Sequence, residues 1–183
     1  MLSLYTLMAV SITNCNPNLI KTVIDNNNVE FNIAENENGE CVPHGKWKEI
    51  YPSGHARLIA EYRFGKRDGS WIWYRRNGKF EKTGKFKEDT ESGLWQYYNN
   101  DGKLIMRGWF CSGQQCGTWM QIWNNGKTRS KITWQSGRIN GRITTYYPNG
   151  RISAIGQMNQ DKRVGEWIWF DSFGNVIKRK QIN

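Results

Sequence analysis

The chain is short of the residues and patterns that most chemistry requires. Only two of its 183 residues are histidine, His44 and His55. Neither has a serine, cysteine or paired carboxylate at a spacing that would make a nucleophile or an acid–base pair. Cys41-Val42-Pro43-His44 is the nearest approach to a thiol site, and a capping loop accounts for it equally well. There is no phosphate-cradling glycine loop and no dinucleotide fingerprint. The expectation is therefore a protein without catalytic residues, cofactor or metal. No stretch repeats its apolar residues at the helical period over ten residues, so helix content should be near nil. The apolar segment Met1–Thr13 is too short to span a membrane.

What the chain has instead is a period. Gly45, Gly69, Gly93, Gly117, Gly141 and Gly165 recur every 24 residues. Counting each of these as position 0, position 2 is Trp47, Trp71, Trp95, Trp119, Ile143 and Trp167. Position 9 is a second glycine: Gly54, Gly78, Gly102, Gly126, Gly150 and Gly174. A fixed period in this range marks a repeat architecture, in which each copy buries its apolar face against its neighbours. Positions 2 to 6 read as a strand, as in Trp71-Ile72-Trp73-Tyr74-Arg75. Positions 10 to 18 read as its return. The turns between them fall at 52–55, 76–79, 100–103, 124–127, 148–151 and 172–175. Asn-Gly and Asp-Gly occur there, and both residues of such pairs tolerate positive φ. The fold class expected is all-β: a single twisted antiparallel meander of six 24-residue hairpins, about twelve strands.

The register follows if positions 2, 4 and 6 lie opposite positions 15, 13 and 11. Position 15, which also faces the next copy's position 2, is Ala60, Gly84, Gly108, Ile132 and Gly156. Large and small side chains then alternate across the sheet. At Ile132 and Ile143 the small residue grows where the tryptophan shrinks, as close packing requires. A second aromatic sits at position 4 (Trp73, Tyr97, Trp169) or at position 6 (Tyr51, Trp123, Tyr147). Position 17 adds Tyr62, Phe86, Phe110, Trp134 and Met158 to the same face. The opposite face keeps one apolar column: Ile50, Tyr74, Tyr98, Ile122, Tyr146 and Phe170. Core packing accounts for most of these aromatics, and any exposed remainder would be a binding patch.

Charge is uneven. Residues 1–40 hold one lysine and five acids, which leaves 25 basic and 11 acidic residues, an excess of +14, in residues 41–183. That field favours an anionic partner, either an acidic protein or an anionic membrane surface. Nucleic acid is not expected, because no nucleic-acid motif accompanies the charge. The candidate binding surface is Arg75, Arg76, Lys79 and Lys82 around the second hairpin, with Lys127, Arg129, Lys131, Arg138 and Arg142 as a longer run.

The first forty residues differ from the rest. Residues 1–15 read as a signal-like segment. Ile12-Thr13-Asn14-Cys15 resembles a bacterial lipoprotein box, with Cys15 as the lipidated residue. Residues 16–40 are rich in Asn, Asp and Glu and read as a tether, in which Val29–Ile33 could add one strand at the first edge. The repeat domain is 41–183. This organisation points to an exported protein of the cell envelope, with a cytoplasmic one as the alternative. Cys111 and Cys116 flank a four-residue turn and should sit opposite each other on adjoining strands, within reach of a disulfide. Zinc is not expected there, since no second pair or histidine completes a site. Cys41 is either free or, if Cys15 carries no lipid, paired with Cys15.

The recurrent Gly-x-Trp-x-x-Tyr-x-x-x-Gly, followed by Gly-x-Phe, resembles the bacterial MORN-repeat variants known as YwqK-type antitoxins. The clearest copies are Gly69 to Gly78 with Gly84-Lys85-Phe86, and Gly93 to Gly102 with Gly108-Trp109-Phe110. The likeness covers residues 45–177. It implies a β-hairpin repeat sheet and a non-enzymatic binding role: a scaffold for another protein, or, in the alternative, an antitoxin that neutralises a toxin or a module that binds anionic lipid.

Overall fold

Local turn chemistry sets the strand lengths, and the strands then pair with their sequence neighbours. The computed structural model describes residues 21–24 and 29–182; the signal-like segment 1–15, with Cys15, lies outside them. The strands are β1 (Lys21–Ile24), β2 (Val29–Glu35), β3 (Cys41–Ile50), β4 (Ala56–Arg63), β5 (Lys66–Arg67), β6 (Gly69–Tyr74), β7 (Phe80–Lys87) and β8 (Thr90–Tyr98). They continue as β9 (Leu104–Cys111), β10 (Gln114–Ile122), β11 (Thr128–Gln135), β12 (Arg138–Tyr146), β13 (Ile152–Asn159), β14 (Lys162–Phe170) and β15 (Val176–Ile182). Fourteen of them form one open antiparallel sheet in meander order, and the short β5 pairs with β4. No helix occurs among the described residues. The all-β, single-sheet expectation therefore holds.

The two kinds of turn differ in backbone geometry. In the Asn-Gly type of turn only the glycine takes a positive φ: 76° at Gly78, 82° at Gly126. Gly78 N–H donates to the Arg75 carbonyl (2.9 Å) and Arg75 N–H donates to the Lys79 carbonyl (2.8 Å). This is a type I turn closed by a left-handed glycine, the usual three-residue hairpin loop. The two-residue turns with both φ positive lie instead at the other end of the strands: Glu88-Asp89 (46°, 66°), Ser112-Gly113 (48°, 77°) and Gln160-Asp161 (47°, 67°). Ring-free polar side chains tolerate that conformation best, yet Phe64 also adopts it, at 46°.

Three of the Gly-x-Trp triplets are bulges. Between β7 and β8, Thr83 pairs with Gln96 and Lys85 pairs with Ser92, so Gly93-Leu94-Trp95 faces Gly84 alone. The same happens to Gly117-Thr118-Trp119 opposite Gly108 and to Gly165-Glu166-Trp167 opposite Gly156. The position-0 glycine supplies the positive φ this needs: 70° at Gly93, 66° at Gly117, 64° at Gly165. The bulge throws the indole back over the facing glycine. A Cβ added to Gly84, Gly108 or Gly156 would lie 2.0–2.3 Å from the ring of Trp95, Trp119 or Trp167. Ile132 pairs directly with Ile143, which replaces the indole-on-glycine contact with an aliphatic one.

The Asn-rich segment expected to be a tether joins the sheet in part. Phe31 in β2 pairs with Trp47 in β3, the rings stacking at 4.8 Å, and Ile33 is buried with them. Three apolar side chains at alternate places (Val29, Phe31, Ile33) are enough to recruit this strand despite its acidic surroundings. β1 then pairs with β2. At the other end β15 places Lys180 opposite Trp167, where the inner copies carry alanine, glycine or isoleucine. Its outward residues are almost all exposed, and Lys178, Arg179 and Lys180 make it a poor template for a further strand.

Candidate interaction surface

The indole face is core. The position-2 tryptophans are only 3–8 % exposed, although no second layer covers them among the described residues. Their burial is lateral. A chain of rings runs Phe31–Trp47–Tyr62–Trp71–Phe86–Trp95–Phe110–Trp119, with centroids 4.8–5.5 Å apart and mostly tilted or edge-on. Contacts of this kind add about 0.5–1.5 kcal/mol each beyond area burial. Basic side chains roof the partly open rings. Lys82 lies 4.2 Å over Trp73, Arg163 4.6 Å over Trp167 and Arg67 4.1 Å over Phe86.

Position 6 has a different role from the one its sequence pattern implies. The register slips between positions 4 and 5, so Tyr74 rather than Arg75 pairs with Phe80. Position 6 thus leaves the aromatic row and reaches sideways to the next turn. Tyr51 Oη donates to the Tyr74 carbonyl (2.9 Å), Tyr147 Oη to that of Phe170 (2.8 Å) and Trp123 Nε1 to that of Tyr146 (3.1 Å). Arg75 does the same to Tyr98 (3.0 Å). Asn77, Asn125 and Asn149 bridge neighbouring turns in a parallel row, each donating to the carbonyl 23 residues on. These bonds tie successive hairpins along one border of the sheet.

The basic residues picked out from the sequence therefore do not converge. Lys82 is on the indole face and Arg75 is engaged with a turn carbonyl. Arg76 lies 6.0 Å over Tyr51, and the stem of Lys79 covers Gly102. Lys127 Nζ donates to the Asn149 carbonyl (2.8 Å), and Arg129 lies 4.7 Å over Trp123. Lys131, Arg138 and Arg142 are exposed and share the face opposite the indoles.

That opposite face carries more apolar surface than the sequence indicated. The same register slip pairs position 5 with position 11: Ile50 with Ala56, Tyr74 with Phe80, Tyr98 with Leu104, Ile122 with Thr128, Tyr146 with Ile152 and Phe170 with Val176. The single expected column becomes a continuous row. Tyr74, Phe80 and Tyr98 stack along it at 5.2 and 5.6 Å. It is partly buried: Phe80, 42 % exposed, and Val176, 46 % exposed, are its open members, and its other ten residues are more covered.

A second apolar feature lies lower on this face. Trp109, 52 % exposed, pairs with Leu94 on one side and Cys116 on the other. Cys111 and Cys116 are joined, their Cα atoms 5.8 Å apart. They are diagonal rather than opposite, because the Ser112-Gly113 turn pairs Cys111 with Gln114. Cys41 is also disulfide-bonded, and there is no free cysteine among the described residues. The Cys41–His44 pair is thus no thiol–imidazole site; His44 stacks on Phe64 at 4.4 Å and its Nδ1 accepts the Phe64 N–H. No group of three or more His, Cys, Asp or Glu side chains among the described residues could hold a metal.

Titration is perturbed at few places. A hydrogen bond from Lys87 holds Asp68 below the usual carboxylate range. The Asn175 side chain and the backbone N–H groups of its turn do the same for Asp171. Burial, with Glu91 nearby, raises the Tyr97 phenol. Asp68 lines an open depression with His44, Gly45, Lys46, Glu61, Tyr62 and Arg63. A scan of the chain against protein-family models finds no match, and a search of curated proteins finds none either.

Proposed function

We propose that this protein is a non-enzymatic scaffold of six 24-residue β-hairpin repeats that binds another, acidic protein outside the cytoplasm. The observation that carries the reading is the uncovered apolar row of positions 5 and 11, on a sheet whose chain holds an excess of +14 in residues 41–183. Apolar surface of that length, left partly exposed on a folded domain and open at Phe80 and Val176, is characteristic of interaction sites. The Cys111–Cys116 disulfide favours an oxidising compartment. The resemblance to MORN-repeat variants supports the same repeat scaffold.

The test is affinity capture with the full chain, followed by direct titration of each captured protein in recombinant form. Fractionation with a palmitate label locates the chain. A direct, salt-sensitive complex with an acidic protein, and recovery with the envelope, are expected. Recovery in the cytoplasm without label would overturn export, and binding to anionic vesicles but to no protein would overturn the scaffold.

A further inference from the structure

The exposed Trp109 is an exception within its own period. Position 16 elsewhere is Glu61, Lys85, Thr133, Gln157 or Gln181, and position 1, which pairs with it, is Lys46, Ser70, Thr118, Arg142 or Glu166 around Leu94. A core reason is lacking. Trp109 faces away from the indoles, since Gly108 and Phe110 on either side of it contact Trp119. Beyond the strand ladder its carbonyl accepts from Trp119 Nε1 at 3.1 Å. Replacing the side chain would leave that bond intact. An indole held in water on a rigid strand, with Leu94 beside it, is the kind of anchor on which binding energy concentrates.

Its surroundings are basic and free of acid. Arg107 precedes it by two residues on β9 and so lies about 7 Å away on the same face. Arg107 pairs with Met120, and Met120 pairs with Lys131. Lys85 lies two strands to one side, roughly 10 Å off, and Arg142 lies beyond Thr133 on the other. From Lys85 to Arg142 the strand residues sharing this face include no Asp or Glu. None of the four cations makes an ion pair among the described residues. Elsewhere the sheet does pair its charges: Lys87 with Asp68 at 3.0 Å, Arg179 with Glu166 at 3.0 Å. The disulfide at Cys111 and Cys116 braces the hairpin beneath the indole.

We propose that Trp109 and Leu94, ringed by Lys85, Arg107, Lys131 and Arg142, form the docking site for an acidic polypeptide segment that presents an apolar side chain. The inference rests on the scaffold reading and places its partner. Charge complementarity selects the acidic segment, and the flat, ungrooved strand surface suits an extended chain lying across β8, β9 and β10. A partner with charge alone would leave the indole and leucine unused.

The probe is a fluorescent peptide of alternating Asp and Glu with one central Phe, against the same peptide with Gly at the centre. Anionic phosphatidylglycerol vesicles and single-stranded oligo-dT serve as competing probes. The full chain should bind the Phe peptide at least tenfold more tightly than the Gly peptide. Trp109→Ser should erase that difference, and Arg107→Glu with Lys131→Glu should weaken both peptides and flatten their salt dependence. Circular dichroism and thermal midpoints of these surface variants should match the parent, which separates lost binding from lost folding. Equal binding of the two peptides, no binding of either, or Trp109-dependent binding of vesicles or oligo-dT in place of the peptide would overturn the site. A captured protein partner that binds the Trp109→Ser, Arg107→Glu variant undiminished would also overturn it, while leaving the scaffold reading intact.

Discussion

Gly108→Ala should destabilise the sheet although it adds one methyl group to a strand. The Cβ would lie 2.0 Å from Trp119 Cδ2 and 2.3 Å from its Cε2 and Cγ. Carbon atoms in contact sit about 3.5–4.0 Å apart, so the ring must retreat by roughly 1.5 Å. It has little freedom to do so. Trp119 is 4 % exposed, its ring meets Phe110 edge-on at 5.3 Å, and its Nε1 donates to the Trp109 carbonyl at 3.1 Å. Gly108 has no positive φ, so alanine on its own would gain about 0.5–1 kcal/mol from lower chain entropy. Overpacking costs about 1–3 kcal/mol, and displacing the indole hydrogen bond costs about 1 kcal/mol more. The net expectation is a loss of about 2 kcal/mol, read as a lower urea midpoint at unchanged slope. Copying Ile132 and Ile143 supplies the second arm. Gly108→Ile combined with Trp119→Ile should be more stable than the sum of the two single changes, by about 1–3 kcal/mol. A Gly108→Ala protein as stable as the parent, with additive single and double variants, would refute the indole-on-glycine packing.

Three further outcomes follow from the turns and the crosslink. Tyr147→Phe removes the bond from its hydroxyl to the Phe170 carbonyl (2.8 Å) and should cost about 1 kcal/mol in urea unfolding, with amide exchange speeding up first at the turn after β14. Cys111→Ser with Cys116→Ser opens a crosslink of sequence separation 5; the midpoint should fall by about 2 kcal/mol equivalent, and reductant should have no further effect on that hairpin. Asp171 accepts from the Asn175 side-chain amide at 3.0 Å and from the Asn175 and Phe173 backbone N–H groups, both at 2.9 Å, and these bonds hold its carboxyl below the usual range. A carboxylate whose folded pKa is lowered stabilises above the ordinary value of 3.8 and loses that contribution as pH falls through the folded one. Thermal midpoints of the parent and Asp171→Asn should therefore differ near pH 6 and converge as pH falls below 3.8 through the lowered folded value.

The sequence by itself determined the class of fold and its rhythm. Glycine at positions 0 and 9 and tryptophan at position 2 recur without a slip from Gly45 to Gly174, and no other pattern competes with the period of the strands. Part of the pairing was legible too: Trp71 pairs with Gly84 and Ile132 with Ile143 as volume matching demands. Only the tertiary structure decided where the bulges fall. A bulge shifts every later side chain along its strand, and the residue that takes it is set by the backbone on both sides, which a single strand's pattern does not contain. That one shift moved Tyr51, Trp123 and Tyr147 out of the aromatic row into bonds between turns. It also brought Phe80 and Ile152 onto the opposite face. The candidate site was legible only in part for a related reason. Charge counts reveal the basic excess, but Lys82, Arg75 and Lys127 are drawn off by rings and carbonyls of neighbouring hairpins. Trp109 sits in a position that is polar in the other copies, a signal visible in the repeat alignment. Its exposure became apparent only once the sheet had turned it away from the indoles.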